Sequence, residues 1–297
     1  MPEELIERSM TVSTPARLSV SNISGSVVIR STDENLIHIH ASKQTSKGDA
    51  EQTRIEIDQA ADGTVTVATR FMDGSWNWLF GAQPCDVDYV IQAPRQCSLK
   101  INGVNNTLSA SGFEGDFNFK SVSGDMALDD LKGALEIDTV SGDVLGIRHA
   151  GSLKVNSVSG DVHLKQASLP SANIKTVSGD VNLQTALGDG PYKFHTVSGD
   201  VHLLAPPTTR CNVDLHSLSG EFSTSFPVSA STQAPGVRTA QLQGGGVLIS
   251  LHSISGDIAM AVDGDIPVPA PVNAHEILNM LEKGELTVDE ALARLNS

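Results

Sequence analysis

A six-residue phrase recurs along the middle of the chain and constrains its fold more than any other feature. Close copies occupy 121–126, 139–144, 157–162, 176–181 and 196–201, and weaker copies occupy 217–222 and 253–258. Their glycines follow one another at steps of 18, 18, 19, 20, 21 and 36 residues. Self-similarity at such a period is typical of a solenoid, in which each repeat buries its apolar face against its neighbours.

The pattern inside one repeat indicates the shape of a coil. Leu135, Ile137 and Thr139 share one parity, whereas Val140 and Val144 share the other, with Gly142 between them. A period of two indicates a half-buried strand, and a change of parity beside a glycine indicates a bend. We therefore predict an all-β fold, a parallel β-solenoid (β-helix) with coils of about 18–21 residues. A meander of antiparallel hairpins is the alternative, but it gives no reason for one invariant bend.

The regions that flank the repeats are less regular. Upstream, LSVSNISGSVVI (18–29) carries a related phrase, and residues 99–108 predict a degenerate first coil in which Asn105-Asn106 replaces Ser-Gly. Asn is the residue that tolerates left-handed backbone best after Gly. The 36-residue step contains 223–246, rich in Ser, Thr, Gln, Pro and Gly, which predicts a loop, an irregular strand or a hidden coil.

The C-terminal residues change character. Three prolines (Pro267, Pro269 and Pro271) predict a linker, and the apolar residues beyond them stand at helical spacing. Two short helices are marginal alone and need a partner, which is the solenoid, each other or a second chain. The predicted division is an N-terminal segment at 1–14, the solenoid at 15–262, a Pro-rich linker at 263–272 and an α-helical hairpin at 273–297.

Four stretches of sequence resemble known families. The VSGDV ladder, the LSVSNISGSVVI opening and the lead-in VDYVIQAP (87–94) resemble the bacterial DUF4097 family of adhesin-like β-solenoids over about residues 15–262. The tail, with ILNMLEKGELTVDEA, resembles the short helical SHOCT-like segments that accompany such domains. The resemblance implies a bacterial, non-enzymatic, surface- or envelope-associated role and carries over no catalytic residue.

Composition narrows the function classes. The 20 basic and 35 acidic residues give a net charge of −15, which disfavours nucleic acid and anionic membrane surfaces as partners. An apolar run of 18 residues is missing, which argues against a membrane span, and the N-terminus does not read as a signal peptide. We therefore expect a cytoplasmic protein without cofactors, with envelope association left open. The cysteines (Cys85, Cys97 and Cys211) are too few for a disulfide framework and are predicted to be reduced.

The bend aspartates are the strongest candidates for a metal site. They form a predicted column of Asp125, Asp143, Asp161, Asp180 and Asp200. Calcium requires six to eight oxygen ligands, whereas each coil supplies a single carboxylate. The favoured interpretation is a turn in which the Asp side chain bonds nearby backbone N–H groups, and calcium binding is the weaker alternative.

Other polar columns have structural readings. The inward hydroxyls before each bend, such as Thr139 and Ser157, predict a hydroxyl ladder. His163 and His202 share one outward column, and His195 and His216 are predicted neighbours in another. Two histidines do not complete a closed metal site, which needs four ligands. Glycoside hydrolysis needs a unique and unequal pair of carboxylates, whereas this sequence repeats one Asp in most coils, so we assign no catalytic residue.

The loop DGSWNWLFG (73–81) holds both tryptophans of the chain. Its apolar residues, Trp76, Trp78, Leu79 and Phe80, predict either a plug for an open solenoid end or a patch that docks a partner.

The leading hypothesis is an interaction or scaffold module that binds protein partners or self-associates. The alternatives are a surface adhesin or carbohydrate-binding protein and, third, a polysaccharide-acting enzyme. The candidate partner-binding residues are Trp76, Trp78, Leu79, Phe80, Ile277, Leu281, Leu292 and Leu295.

Overall fold

The structure, a computed structural model, describes residues 3–45, 48–71, 83–234 and 236–263. Two compact units divide the chain, unit 1 with Met1–Met126 and Leu131–Gly133, and unit 2 with Ala127–Asp130 and Ala134–Ser297. All the regular secondary-structure elements of the described residues are β-strands. The predicted helical hairpin and the loop with Trp76, Trp78, Leu79 and Phe80 lie outside the described residues.

Unit 1 contains the first strands of the chain. They are β1 Glu3–Thr11, β2 Ala16–Thr32, β3 Leu36–Gln44, β4 Thr53–Gln59, β5 Val65–Phe71, β6 Val87–Pro94, β7 Cys97–Ser111 and β8 Phe117–Ser123. The long strand β2 pairs in parallel with β7 along nearly its whole length, and β7 pairs in parallel with β8. On the other side of β2 lie β5 and β6, which are also parallel to it. Antiparallel strands follow: β4 pairs with β5, β3 pairs with β6, and β1 pairs with β3.

The predicted coil at 99–108 is part of β7, but the reason given for its Asn pair is wrong. Asn106 pairs with Gly25, yet the non-glycine residues with left-handed φ in the described chain lie elsewhere, in unit 2. Asn106 is instead a buried residue within a continuous strand.

Unit 2 contains the remaining strands. They are β9 Met126–Asp129, β10 Leu135–Ser141, β11 Val144–Ile147, β12 Leu153–Ser159, β13 Val162–Leu169, β14 Ala172–Ser178, β15 Val181–Leu187, β16 Tyr192–Ser198, β17 Val201–Ala205, β18 Cys211–Ser219, β19 Phe222–Thr224, β20 Val228–Ala234, β21 Val237–Leu242, β22 Val247–Ser255 and β23 Ile258–Val262. A coil is a pair of strands joined by the SGD bend, such as β10 with β11. The prediction of a parallel β-solenoid is confirmed, because equivalent strands of successive coils pair in parallel with equivalent residues opposite each other, as Thr139 is opposite Ser157.

The alternation of burial explains why these sequences form coils. The inward positions of the first strands form two buried columns, Leu135, Leu153, Ala172, Tyr192, Ile249 and Val213 in one, and Ile137, Val155, Ile174, Phe194, Leu251 and Leu215 in the other. Burial of one such side chain stabilises by about 1.5–3 kcal/mol. A coil alone buries few of them, so the coils are stable only when stacked.

The bend needs a glycine because the backbone of the neighbouring coil lies against it. Gly179 has a φ of +137°, and a Cβ built on it would lie 2.2 Å from the carbonyl oxygen of Gly160. Any side chain therefore both strains the backbone and overlaps the preceding coil. This explains why the bend keeps its length while the opposite corner varies.

The last two coils do not stack in chain order. The strand β16 pairs with β22, and β22 pairs on its other side with β18, so β22 and β23 lie between the coil of β16 and the coil of β18. The 36-residue step therefore contains a coil that inserts between two earlier ones. The intervening residues form the antiparallel hairpin of β20 and β21, whose strand β21 pairs with the outer side of β18.

Candidate functional site

The bend aspartates of unit 2 bind backbone of the neighbouring coil. The Oδ1 atom of Asp143 accepts a hydrogen bond from the N–H of Asp161 at 2.8 Å, and Asp161 accepts from the N–H of Asp180 at 2.7 Å. The same bond recurs in the following coils at 2.7–2.8 Å. Asp180 accepts from the N–H of Asp200, Asp200 accepts from the N–H of Asp257, and Asp257 accepts from the N–H of Glu221. Each carboxylate thus satisfies an N–H that would otherwise lack a partner at the bend. This hydrogen bonding accounts for the repeated Asp without a bound ion.

Three histidines form a stack on the outward face of the first strands. The ring of His252 lies between those of His195 and His216, with centroids 4.8 Å apart on both sides and interplanar angles of 10° and 4°. The prediction that His195 and His216 are direct neighbours is wrong, because the strand with His252 inserts between their strands. Lys175 precedes His195 in the same column.

The neighbours of the stack set its protonation. Burial lowers the pKa of His195, and the nearby His252, Lys175 and Lys193 lower it further. The Nε2 atom of His252 is 3.2 Å from the Oγ of Ser250, and the Nε2 of His216 is 3.4 Å from a carboxylate oxygen of Asp214. A positive charge on His252 would disfavour protonation of His195, because the two like charges would lie about 5 Å apart.

A row of exposed aliphatic side chains runs beside the histidines, two residues closer to the bend. Its members are Val140, Val158, Val177, Val197, Ile254 and Leu218, which are 43–83% exposed. We call this row the aliphatic stripe. Each coil of unit 2 from β10 to β22 therefore places an apolar side chain in solvent at the same position, although single exposed apolar residues elsewhere would need no explanation.

A groove of about 570 Å³ follows the two columns across five coils. Its polar side is formed by Asn156, Lys175, His195, His252 and His216, and its apolar side by Val177, Val197, Ile254 and Leu218. We call it the histidine groove. The inward hydroxyls of Ser157, Thr176, Thr196, Ser217 and Ser253 form a column that contributes to the lining. They do not form the predicted ladder, because none of these five hydroxyl oxygens has a hydrogen-bond partner among the described residues.

The stack does not form a metal centre in this arrangement. Within the described residues, no group of three or more His, Cys, Asp or Glu side chains is placed to hold a metal ion. Rings that lie parallel present their nitrogens side by side, whereas a tetrahedral site needs nitrogens that converge on one point. The second histidine column is interrupted, as predicted, because Asn182 lies between His163 and His202.

The cysteines do not add a reactive site. Cys85, Cys97 and Cys211 are free and buried, as the sequence predicts. Burial raises the pKa of the Cys97 thiol to about 12 and that of Cys211 to about 11, so both are protonated thiols at neutral pH.

Comparison with known proteins identifies the family. The model described as Toastrack DUF4097 matches residues 16–261. The chain belongs to the DUF4097 family. The match covers the parallel coils of this Toastrack protein and confirms the resemblance seen in the SGD ladder, while no curated protein matches the chain.

A solved structure shares the fold of this DUF4097 protein, and a second matches it more weakly. A candidate adhesin from Bacteroides fragilis NCTC 9343 is 12% identical, with a TM-score of 0.51, and the match covers 87% of this chain and 97% of that one. A candidate adhesin from Parabacteroides distasonis ATCC 8503 is 9% identical, with a TM-score of 0.39 and coverage of 86% of this chain and 97% of that one.

The described residues contain no helix long and apolar enough to span a membrane.

Sequence reasoning missed His252, although a signal was present. His195, His216 and His252 each stand four residues before a bend glycine, Gly199, Gly220 and Gly256. Aligning the coils on the bend rather than on their order in the chain places all three in one column.

Proposed function

We propose that this DUF4097 protein is a non-catalytic binding module whose recognition surface is the histidine groove with the aliphatic stripe. The observation that carries the proposal is the exposed apolar residue at one outward position of successive coils. Side chains that stay about half exposed gain less from burial than core side chains do, and contiguous exposed apolar surface is typical of an interaction site. The occupant that fits is a protein segment with an apolar face.

The arrangement of acidic residues supports a non-catalytic role. The repeated bend aspartates from Asp143 to Asp257 bind backbone N–H groups, as a structural element does. Acid–base catalysis requires two carboxyl groups with different environments, and identical turns do not provide them. Residues 273–297 and the Trp76–Phe80 loop stay predicted contact segments in this proposal.

Substitution within the stripe tests the proposal. The double variant Val177→Asp/Val197→Asp places two charges in the groove, and its control, Val90→Asp, changes a similarly exposed valine of β6 in unit 1, outside the repeat phrase. We expect the double variant to lose at least about tenfold in partner capture from an extract of the source cells, quantified by mass spectrometry, because interface hot spots contribute about 2 kcal/mol or more. Sedimentation velocity reports self-association in the same samples. Equal capture by the double variant and the control would refute the groove as the recognition surface.

A second candidate function is a surface adhesin. The candidate-adhesin name of the Bacteroides fragilis protein, which shares the fold, favours it. A glycan array with the same two variants separates the possibilities. Glycan binding that is independent of Val177 and Val197 would favour an adhesin that uses another face, and cell fractionation would show whether the protein is associated with the envelope.

A further inference from the structure

The middle of the histidine groove carries positive charge, whereas the chain carries a net charge of −15. Lys175 lies beside His195 in the histidine column, and Lys193 stands two residues before His195 on the same face. The charge comes from these two lysines, because the lowered pKa of His195 keeps its ring neutral near neutral pH. Two lysines on the face of an acidic protein attract acidic segments.

Carboxylates on this face lie at the two ends of the column. On the outward positions of the described strands β10 to β22, they are Glu136, Asp138 and Asp214. Glu136 is paired with Lys154 at 2.5 Å, and Asp138 accepts a hydrogen bond from Asn156 at 2.7 Å. The middle of the groove, from Lys175 to His252, is therefore the basic part.

The dimensions suit one helix of the predicted hairpin. Successive coils are about 4.8 Å apart, so the five-coil groove is roughly 19 Å long. A helix of about ten residues, as predicted before Gly284, is roughly 15 Å long at 1.5 Å per residue. Helices recognised in grooves place apolar residues against an apolar strip and use charged flanks for orientation.

The chain itself contains a segment of this chemistry. Residues 273–297 carry apolar residues at the helical spacing described above, including Leu281 and Leu292. Their charged residues are Glu276, Glu282, Glu285, Asp289 and Glu290 against Lys283 and Arg294, a net charge of 2 − 5 = −3. An acidic amphipathic segment complements a groove with one basic and one apolar side.

The connection is long enough. The described chain ends at Asp263, whose carboxylate accepts a hydrogen bond from Gln184 at 2.9 Å and whose N–H donates to the carbonyl of Ala205 at 2.8 Å. Nine residues, 264–272, separate Asp263 from Asn273, so ten Cα-to-Cα steps join them. A Pro-rich chain of ten residues spans up to roughly 30 Å, and the two layers of a stacked pair of sheets are about 10 Å apart.

We propose that residues 273–297 dock as an amphipathic helical segment in the histidine groove of their own chain. The docked segment covers the surface assigned above to a partner, so the tail regulates access to it. This inference rests on the proposed function, since both use the same groove.

Photo-crosslinking in the full chain tests the docking. p-Benzoylphenylalanine replaces Val197 in one sample and Val90, an exposed valine of β6 in unit 1, in the control. We expect irradiation to join position 197 to a peptide within 273–297 in a species of monomer mass, and position 90 to give less than a tenth of that yield. Absence of the crosslink at 197, or equal yields at 197 and 90, would overturn the proposal. A crosslink only between two chains, at dimer mass, would overturn docking within one chain and assign the groove to a second copy.

A charge exchange tests the chemistry of recognition. The exposed pair Lys175→Glu/Lys193→Glu should lower the crosslink yield about tenfold, and Glu282→Lys/Glu290→Lys in the same chain should restore most of it. Circular dichroism of each variant reports folding. An unchanged yield in the first variant, or no recovery in the combined one, would count against an electrostatic match.

Parallel capture assays separate the two proposals. Leu281→Asp/Leu292→Asp should free the groove and raise partner capture several-fold, because in this proposal these leucines contact the groove of their own chain and not the partner. A loss of capture in this variant would return them to the partner-contact role that the sequence predicts. Loss of capture in the groove variants without any tail crosslink would leave the proposed function standing and remove the tail from the groove. A tail crosslink, together with partner capture that does not change in the Val177 and Val197 variant, would leave the docking of the tail standing and refute the groove as the partner surface.

Discussion

The coils from β10 to β17 stack in the order of the chain, whereas the two that follow do not. In both regions, equivalent residues face each other and the bend carboxylate accepts an N–H bond from the next coil. The two regions differ only in which coil of the chain stacks on the preceding one. The carboxylate of Asp200 accepts from the N–H of Asp257, whereas Glu221, which comes earlier in the chain, donates to Asp257. The repeat phrase therefore determines the shape of a coil and its columns, and it leaves the choice of neighbour to other parts of the chain.

The bend glycines provide the largest expected contrast between the two regions. Gly179→Ala should lower the free energy of unfolding by about 2–5 kcal/mol, because the Cβ adds backbone strain and overlaps the oxygen of Gly160. Gly220→Ala meets a similar obstacle, the carbonyl oxygen of Gly256 at 2.1 Å, but its coil is the outermost one and opens locally. We expect a global loss of about 1–2 kcal/mol there. Urea denaturation measures both, and an equal or larger loss for Gly220→Ala would contradict this contrast.

Removal of one bend carboxylate reports which coils are neighbours. Asp200→Ala should cost about 1–3 kcal/mol, because the N–H of Asp257 loses its acceptor. Amide hydrogen exchange should therefore accelerate at Asp257 and stay unchanged at Glu221. Asp200→Asn keeps an oxygen in place and serves as the control. Faster exchange at Glu221 instead would show that the coils stack in chain order.

Acidification tests the contact between the two regions at the histidines. Because the pKa of His195 is lowered in the folded protein, the unfolded chain binds its proton more readily. Its contribution to stability is therefore complete above about pH 6.5 and is lost as the pH falls through that value toward the lowered pKa. The melting temperature should decline between about pH 7 and pH 5.5. His195→Asn should reduce this decline in melting temperature. Part of the decline should remain in the variant, because burial also lowers the pKa of His163. A melting temperature that rises on acidification would contradict the assignment.

The aliphatic stripe gives the smallest effect in either region. Val158→Ser in a coil stacked in order and Leu218→Ser in the outermost coil remove side chains that are 48% and 83% exposed. Each should change the free energy of unfolding by less than about 0.5 kcal/mol. Thermal unfolding measures both. A loss above 1 kcal/mol would mean that the stripe serves folding rather than binding.

Much of unit 2 is predictable from the sequence because its columns are repeated. The parity of Leu135 and Ile137 against Val140, and the bend at Gly142, predict a half-buried strand on each side of a corner. The constant bend and variable return corner then favour parallel stacking. These inferences depend on local sterics and on burial, which a single sequence displays.

The order of the last coils is not predictable in the same way. Any coil offers the same backbone edge to a neighbour, so strand β16 can accept β18 or β22 with equal register. The choice depends on the hairpin of β20 and β21, whose exposed residues carry little hydrophobic pattern. The histidine stack was missed for this reason, since His252 joins the column only through that insertion.

The inserted coil has a consequence for how the molecule is made. During synthesis, residues 211–224 leave the ribosome before the strand that will separate them from residues 192–205 exists. The C-terminal end of unit 2 therefore cannot assemble rung by rung in the order of translation. This end is completed only when residues 247–262 have emerged. The coil of residues 211–224 and its hairpin therefore pack in their final place only after the coil of residues 247–262 has inserted.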